Sequence, residues 1–334
     1  MSTPPDSPSS KRLGRSSSNI ALPSAVSIEA AICTLRSEIP EVAENPQRYS
    51  DEYILRFLKG KKFRIEDAKP FLQKHAQWVK EMDIPKLMRG SYPEQAKVKK
   101  IYQSGYHGVD RQNRPIYIER VGNLKVHEIT EVASSERLIQ IFVREYEKTL
   151  WDRLPASGAT QTITILDISG VGFNSLRKEV RSFLGSIIGI SSQNYPELLG
   201  RMYIVNAPYV FQGIWSVIKP WIDPNTRKKI FILGKNFHDT LAEDLDVDQL
   251  PVFLGGKCQC NPSIGEEELH GCLYSDKGPW NPLHIAIEEP HIAIEDFVSA
   301  VDLEEDDFRT CSSIDSHPHK LNPKKHSRRW CFCG

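Results

Sequence analysis

A chain of 334 residues with 40% hydrophobic and 26% charged side chains holds enough apolar material for one large or two modest cores, which excludes a wholly disordered chain and a membrane bundle. Its 43 basic and 43 acidic side chains cancel, and that neutrality argues against a dedicated nucleic-acid binder. The balance is uneven along the chain: residues 51–90 hold ten basic against six acidic side chains, and residues 281–334 hold six against ten.

Residues 1–24 are rich in Ser and Pro, include Lys11, Arg12 and Arg15, and show no apolar period, so a disordered tail is expected. Thr3-Pro4 and Ser7-Pro8 are its candidate phosphorylation dipeptides, and it has no hydrophobic stretch of secretory length. From Ser27 to Met88 the pattern is helical. Asp51 is placed to cap a helix whose apolar face is Ile54, Leu55, Phe57 and Leu58, with Gly60 as its stop. The next helix carries Ile65, Ala68, Leu72, Ala76 and Val79 at spacings of three and four. Pro70 inside it predicts a later start or a kink.

After Gly105 the period changes. Residues 115–121, 162–167, 201–206 and 229–233 are short β-rich runs, separated by helical patterns at 134–154 and 176–190. In the first of those helices Leu138, Phe142, Tyr146 and Leu150 share one face. Strands alternating with helices predict an α/β fold with a mostly parallel sheet. Beyond residue 282 the pattern fades into a repeated HIAIE segment, an acidic block at 304–307 and a basic run at 320–329, expected to form a flexible tail.

Reaction chemistry is hard to find. The chain has no G-x-S-x-G elbow, no Walker A and no H-E-x-x-H, so it is not expected to be an enzyme, and no cofactor is expected. Gly170-Val-Gly172 is a fragment of a dinucleotide fingerprint and marks a strand-to-helix turn. The seven cysteines are odd in number and irregularly spaced, which suits a reducing, cytosolic setting. Cys258, Cys260, His270 and Cys272 can be assembled into a zinc set. Their C-x-C and H-x-C spacings depart from C-x2–4-C, so reduced thiols without metal are expected. Cys331 and Cys333 fit a prenylation box poorly. No run approaches the roughly 20 apolar residues of a membrane span. Phe211, Ile214, Trp215, Val217, Ile218, Trp221 and Ile222 crowd together before an Asp223 cap and Pro224. A core helix and a helix at a membrane interface both fit this pattern, and periodicity does not choose between them.

An ordered set of short motifs is similar to one family. They are residues 54–63 (ILRFLKGKKF), 114–119 (RPIYIE), 145–147 with 153–155 (EYE, RLP), 166–170 (LDISG), 193–197 (QNYPE), 203–208 (YIVNAP), 219–224 (KPWIDP), 229–234 (KIFILG), 250–256 (LPVFLGG) and 278–280 (GPW). In this order they resemble the CRAL-TRIO lipid-binding proteins, specifically the fungal secretory phosphatidylinositol/phosphatidylcholine transfer proteins, over about residues 25–282. The resemblance implies a helical N-terminal tripod at 25–90 and a lipid-binding lobe at 91–282. A mostly parallel sheet would floor that lobe's pocket, and a mobile helical gate at 211–229 would close it. Residues 283–334 would remain a tail.

Carried over, the inositol-headgroup set is Lys61, Lys62, Glu197, Thr226 and Lys229: cations and a hydroxyl for a phosphodiester, a carboxylate for inositol hydroxyls. Lys61 stands where an arginine is usual. Read from the residues alone, Lys61 and Lys62 are also a solvated helix end, and Glu197 with Lys229 also a surface ion pair. The phosphatidylcholine set is Tyr106, Tyr117, Tyr146, Thr162 and Thr164, ring faces for a quaternary ammonium and hydroxyls for phosphate. Here Thr162 replaces a serine, and Leu198 replaces an arginine. Phe211, Trp215, Ile218, Trp221 and Ile222 are the membrane-contacting gate.

The resemblance implies a monomeric cytoplasmic carrier that visits Golgi or endosomal membranes transiently and exchanges phosphatidylinositol and phosphatidylcholine. It would present phosphatidylinositol to lipid kinases and support secretory traffic. Alternatives are a CRAL-TRIO carrier of a sterol or tocopherol-like ligand, and a lipid-sensing scaffold without transfer.

Overall fold

The computed structural model describes residues 24–281 except 123, 125, 173, 174, 176 and 261–270. The expectations for residues 1–23, the HIAIE repeat, the charged tail, Cys331 and Cys333 lie outside them. Six helices come first: α1 (Ala25–Glu38), α2 (Pro40–Ala43), α3 (Asp51–Gly60), α4 (Ile65–Glu81), α5 (Ile84–Arg89) and α6 (Gln95–Ile101). Ser24, at the end of the expected tail, caps α1 by accepting the Ser27 amide. On α3 the cap is Ser50, not Asp51. Its hydroxyl accepts the Tyr53 amide, while Asp51 is engaged by Arg36 at 2.6 Å. Pro70 does not delay α4, which begins at Ile65 and runs through it. One lost main-chain donor is offset by burial of Ala68, Leu72, Ala76 and Val79 along a single face.

The stop after α3 also differs from expectation. Gly60 is still helical, and the left-handed turn falls on Lys62 and Phe63, with φ of 54° and 60°. Gly60 serves close packing instead: a Cβ there would lie 3.3 Å from Cβ of Pro196.

Strands and helices then alternate. They are β1 (Ser104–Val109), β2 (Pro115–Arg120), α7 (Val126–Val132), α8 (Ser135–Lys148), a π-helical turn (Thr149–Arg153), α9 (Leu154–Ser157), β3 (Thr162–Asp167), α10 (Lys178–Asn194) and β4 (Leu199–Val205). After these come α11 (Phe211–Ile218), a 3-10 turn (Lys219–Trp221), α12 (Pro224–Arg227), β5 (Ile230–Ile232) and α13 (His238–Ala242). The sheet runs β1-β2-β3-β4-β5, with β1 antiparallel to β2 and the other pairs parallel. The four expected runs are β2 to β5. β1 was not expected because SGYHGV holds two glycines and no apolar alternation. Gly105 lets residues 271–281 lie against this strand, since a Cβ would meet the Leu273 carbonyl oxygen at 2.0 Å.

Period two divides the sheet. Ile116, Ile118, Ile163, Ile165, Tyr203 and Val205 pack on one face against Phe237, Leu241, Leu245, Leu250 and Leu254. A separate core joins α1, α3 and α4 to Leu150, Leu154, Tyr195 and Leu198, so the leading helices and the sheet region share packing.

A buried carboxylate fixes that junction. Glu147 on α8 is 1% exposed and accepts four hydrogen bonds: two from the Arg48 guanidinium (3.0 and 2.9 Å), one from Trp151 Nε1 (3.0 Å) and one from the Tyr195 hydroxyl (2.8 Å). All four acceptor positions of the carboxylate are thereby used. Arg48→Ala, which leaves this charge buried without its cation, is expected to cost about 3–5 kcal/mol in equilibrium urea unfolding. A loss of a few tenths would mean that the ion pair does not hold the two segments together.

Candidate functional site

The other face of the sheet floors a chamber of about 970 Å³. One lateral row crosses all five strands through the registers Tyr106↔Tyr117, Tyr117↔Thr164, Thr164↔Met202 and Met202↔Ile230, and every member lines the chamber. The walls are α8 through Leu138, Phe142 and Tyr146, α10 through Phe183, Leu184, Ile187 and Ile188, and the segment from α11 to α12. The face expected on the first long helix is therefore realised by Leu138, Phe142 and Tyr146, turned toward this space.

The aromatic segment is resolved in the same way. Phe211, Ile214, Trp215 and Ile218 of α11 all line the chamber, as do Trp221 and Ile222 beyond it, while Val217 stays 39% exposed on the outer side. In this state the residues expected to touch a membrane form an inner wall. The Asp223 cap is present, accepting the Asn225 amide at 2.7 Å, with Pro224 at the first helical position.

At one end lie Lys61, Glu197, Thr226 and Lys229, four of the five residues carried over for an inositol headgroup; Lys62 is not among the lining residues. Lys229 Nζ donates to Glu197 Oε2 and to the Leu199 carbonyl, both at 2.9 Å, and the two side chains are 24% and 28% exposed. The ammonium has three hydrogens, so one is left for another acceptor. Glu197 takes a left-handed φ of 56°, and its carbonyl accepts from Arg56 and Gln161, each at 3.3 Å. Lys61 lies over the Phe71 ring, 4.1 Å from its centre. Arg227, which the resemblance did not include in the headgroup set, also lines this end, and its buried Nε–H has no acceptor among the described protein atoms.

All five residues of the choline set line the same chamber. The Tyr106 and Tyr117 rings sit 4.9 Å apart and tilted, whereas Tyr146 stacks on Tyr195 at 4.7 Å. The Arg153 guanidinium already lies 4.2 Å from the Tyr106 ring centre, so a second cation has only what that contact leaves of the ring. Leu198 is buried in the core shared with the leading helices and adds no charge.

Two carboxyl groups at this aromatic end were not anticipated. Glu145 pairs with Arg153 at 3.2 Å. Glu119 lines the chamber beside the phenols of Tyr102 and Tyr117. Burial raises the Glu119 carboxyl above its ordinary 4.5, with the two phenols only partly opposing the shift. Within RPIYIE an acidic residue reads as a solvated strand end. The available signal was its even spacing from Tyr117, which puts both on one face.

Chamber and fold define the class first: a sheet-floored pocket protein, apolar within and polar at its ends. Residues 99–256 match the CRAL/TRIO domain. The Sec14 cytosolic factor of Schizosaccharomyces pombe is 35% identical over 260 residues, covering 76% of this chain and 87% of that protein. The SEC14 cytosolic factor of Candida glabrata is 34% identical over 259 residues, covering 75% and 83%. The phosphatidylinositol/phosphatidylcholine transfer protein SFH7 of Arabidopsis thaliana is 36% identical over 244 residues, 71% of this chain but 44% of that longer protein, so the chain spans less than half of that relative. The crystal structure of Sfh5 superposes with a TM-score of 0.57 at 18% identity, over 79% of this chain and 96% of that one, a likeness of fold alone. The chain belongs to the CRAL-TRIO family, among its Sec14-type members. Among the described residues no helix is long and apolar enough to cross a membrane.

The raised Glu119 carboxyl sets a pH dependence. The native state holds this proton at pH values where the unfolded chain has lost it, so its contribution is complete below pH 4.5 and is lost as pH rises through the native value. Glu119→Gln is expected to flatten the fall in thermal stability above pH 4.5, with variant and wild-type curves converging in acid. Parallel curves across the range would remove Glu119 from this role.

Proposed function

We propose that this chain is a phospholipid carrier that exchanges phosphatidylinositol and phosphatidylcholine between membranes without making or breaking a covalent bond. The observation that carries the reading is the division of one chamber: apolar walls from α8, α10 and α11, Lys61, Thr226, Lys229 and Arg227 at one end, and paired tyrosines with carboxyl groups at the other. The relatives named as phosphatidylinositol/phosphatidylcholine transfer proteins support it.

Each acyl methylene removed from water contributes about 0.8 kcal/mol, and it contributes much the same in a bilayer as in an apolar chamber. Chain burial therefore nearly cancels in an exchange, and the headgroup contacts select. A phosphodiester at the mouth would meet the free hydrogen of Lys229, the Arg227 guanidinium and the Thr226 hydroxyl. A quaternary ammonium would meet Tyr117, Tyr106 and the carboxyl groups of Glu119 and Glu145. For the ligand to enter, α11 must swing away, which would bring Phe211, Trp215, Ile218, Trp221 and Ile222 to the bilayer surface.

Transfer between liposomes tests this directly. Hydrogen bonds to charged groups are worth about 1.5–3 kcal/mol, so Lys229→Ala should slow phosphatidylinositol transfer on the order of tenfold or more and spare phosphatidylcholine. Equal loss of both would make Lys229 a structural residue. Absence of transfer for either lipid, with a sterol recovered by mass spectrometry of the purified protein, would sink the reading itself.

A further inference from the structure

We propose that His107, Cys258, Cys260 and Cys272 hold one Zn²⁺ as a closed four-ligand site that staples the segments at 250–260 and 271–281 to strand β1. Their ligand atoms all lie within 4.8 Å of one another, with His107 and Cys272 buried and the other two half-buried. A tetrahedral zinc with bonds of about 2.3 Å to sulfur and 2.0–2.1 Å to nitrogen requires S···S near 3.8 Å and S···N near 3.6 Å. The structure has Cys258 Sγ 3.6 Å from Cys260 Sγ, and Cys260 Sγ 3.8 Å from His107 Nδ1. The sulfurs are far beyond the roughly 2.05 Å of a disulfide, and all three cysteines are free.

The imidazole is set for the task. Its Nε2 lies 3.1 Å from the Gln249 carbonyl, which can only accept, so Nε2 carries the proton and Nδ1 keeps its lone pair, 3.8 Å from Cys260 Sγ and 3.4 Å from the Ser275 hydroxyl. A ligating histidine usually has its second ring nitrogen held in this way. Backbone pairing already carries the ligands to one point. Cys258 N donates to the Leu250 carbonyl, Gly108 N donates to Lys277, and isolated bridges join Pro251 to Cys258 and His107 to Lys277. Gly271, with a φ of 102°, makes the turn just before Cys272. Three thiolates and an imidazole are a soft donor set suited to zinc, and four protein ligands leave no open position, so the site is structural and not catalytic.

The fourth ligand differs from the one the spacing suggested. His270 lies outside the described residues, and His107 stands 153 residues before Cys260 on β1, where no short motif reveals it. The staple sits behind the pocket wall: residues 271–281 carry Trp280 edge-on to Tyr106, with ring centres 6.0 Å apart.

Elemental analysis of the full chain, purified without chelator, should find about one zinc per chain, released when the thiols are titrated with a mercurial. The paired changes Cys331→Ser and Cys333→Ser should leave that stoichiometry intact, whereas Cys260→Ser should lose at least nine tenths of the metal. If Cys260→Ser fails to fold, His107→Cys gives an independent reading. It should retain metal, and the absorption spectrum of its cobalt-substituted form should change with the new ligand. A metal-free wild-type chain, a disulfide among the three cysteines, a different metal in the site, or a cobalt spectrum unaltered by His107→Cys would each overturn the proposal.

Discussion

The handedness of chain crossovers is the constraint from which this architecture follows. Parallel strands joined through helices turn in one sense almost without exception. When the strands also lie in sequence order, as β2 to β5 do, every crossover stands on the same side of the sheet. The helices α8, α10 and α11 therefore gather over one face, and the chain after β5 returns to cover the other. Folds whose strand order reverses bind ligands in a crevice at the strand ends. This sheet has no reversal, so its binding volume opens between the floor and its own crossover helices.

Polar groups sit where that geometry makes them useful. Glu147 is fully satisfied and joins α8 to the leading helices and to the end of α10, which holds the walls in place. Glu119 and Glu145 are placed inside the chamber, and Lys229 shares its ammonium between a carboxylate and a carbonyl at the mouth. The chain's zero net charge thus conceals a local arrangement: Lys61, Arg227 and Lys229 outnumber Glu197 at the mouth, while Glu119 and Glu145 stand with Arg153 at the aromatic end.

Much of this was legible in the residues, for identifiable reasons. Runs such as TITILD and KIFIL combine β-branched residues with turn boundaries, and they became β3 and β5. β1 was hidden because Gly105 answers to the backbone of Leu273 and Gly108 to a left-handed φ of 74°, and local propensity carries no trace of either. The cap of α3 was misplaced by one residue because Ser50 and Asp51 are both good caps, and the choice was made by Arg36, fifteen positions away. At the mouth, four of the five expected residues share one chamber, joined by Arg227, which the resemblance did not include in the headgroup set. His107 escaped because it is a polar residue in a strand whose partners come from a distant segment, Cys260 being 153 positions away; Glu119 escaped although Tyr117, two residues before it on the same strand, shares its face.

The wall helix α10 has a consequence for how this protein keeps its shape. Of its 17 residues only Asn194 is buried: Phe183 and Ile190 pack against neighbouring core residues, while Phe183, Leu184, Ile187 and Ile188 also line the chamber. Most helices draw their stability from packing on a permanent core. This one must draw part of it from whatever fills the chamber, so occupancy and local order are thermodynamically linked. Two preparations carrying different occupants are then different thermodynamic objects with one sequence. Amide exchange along α10 is then a gauge of what the chamber holds.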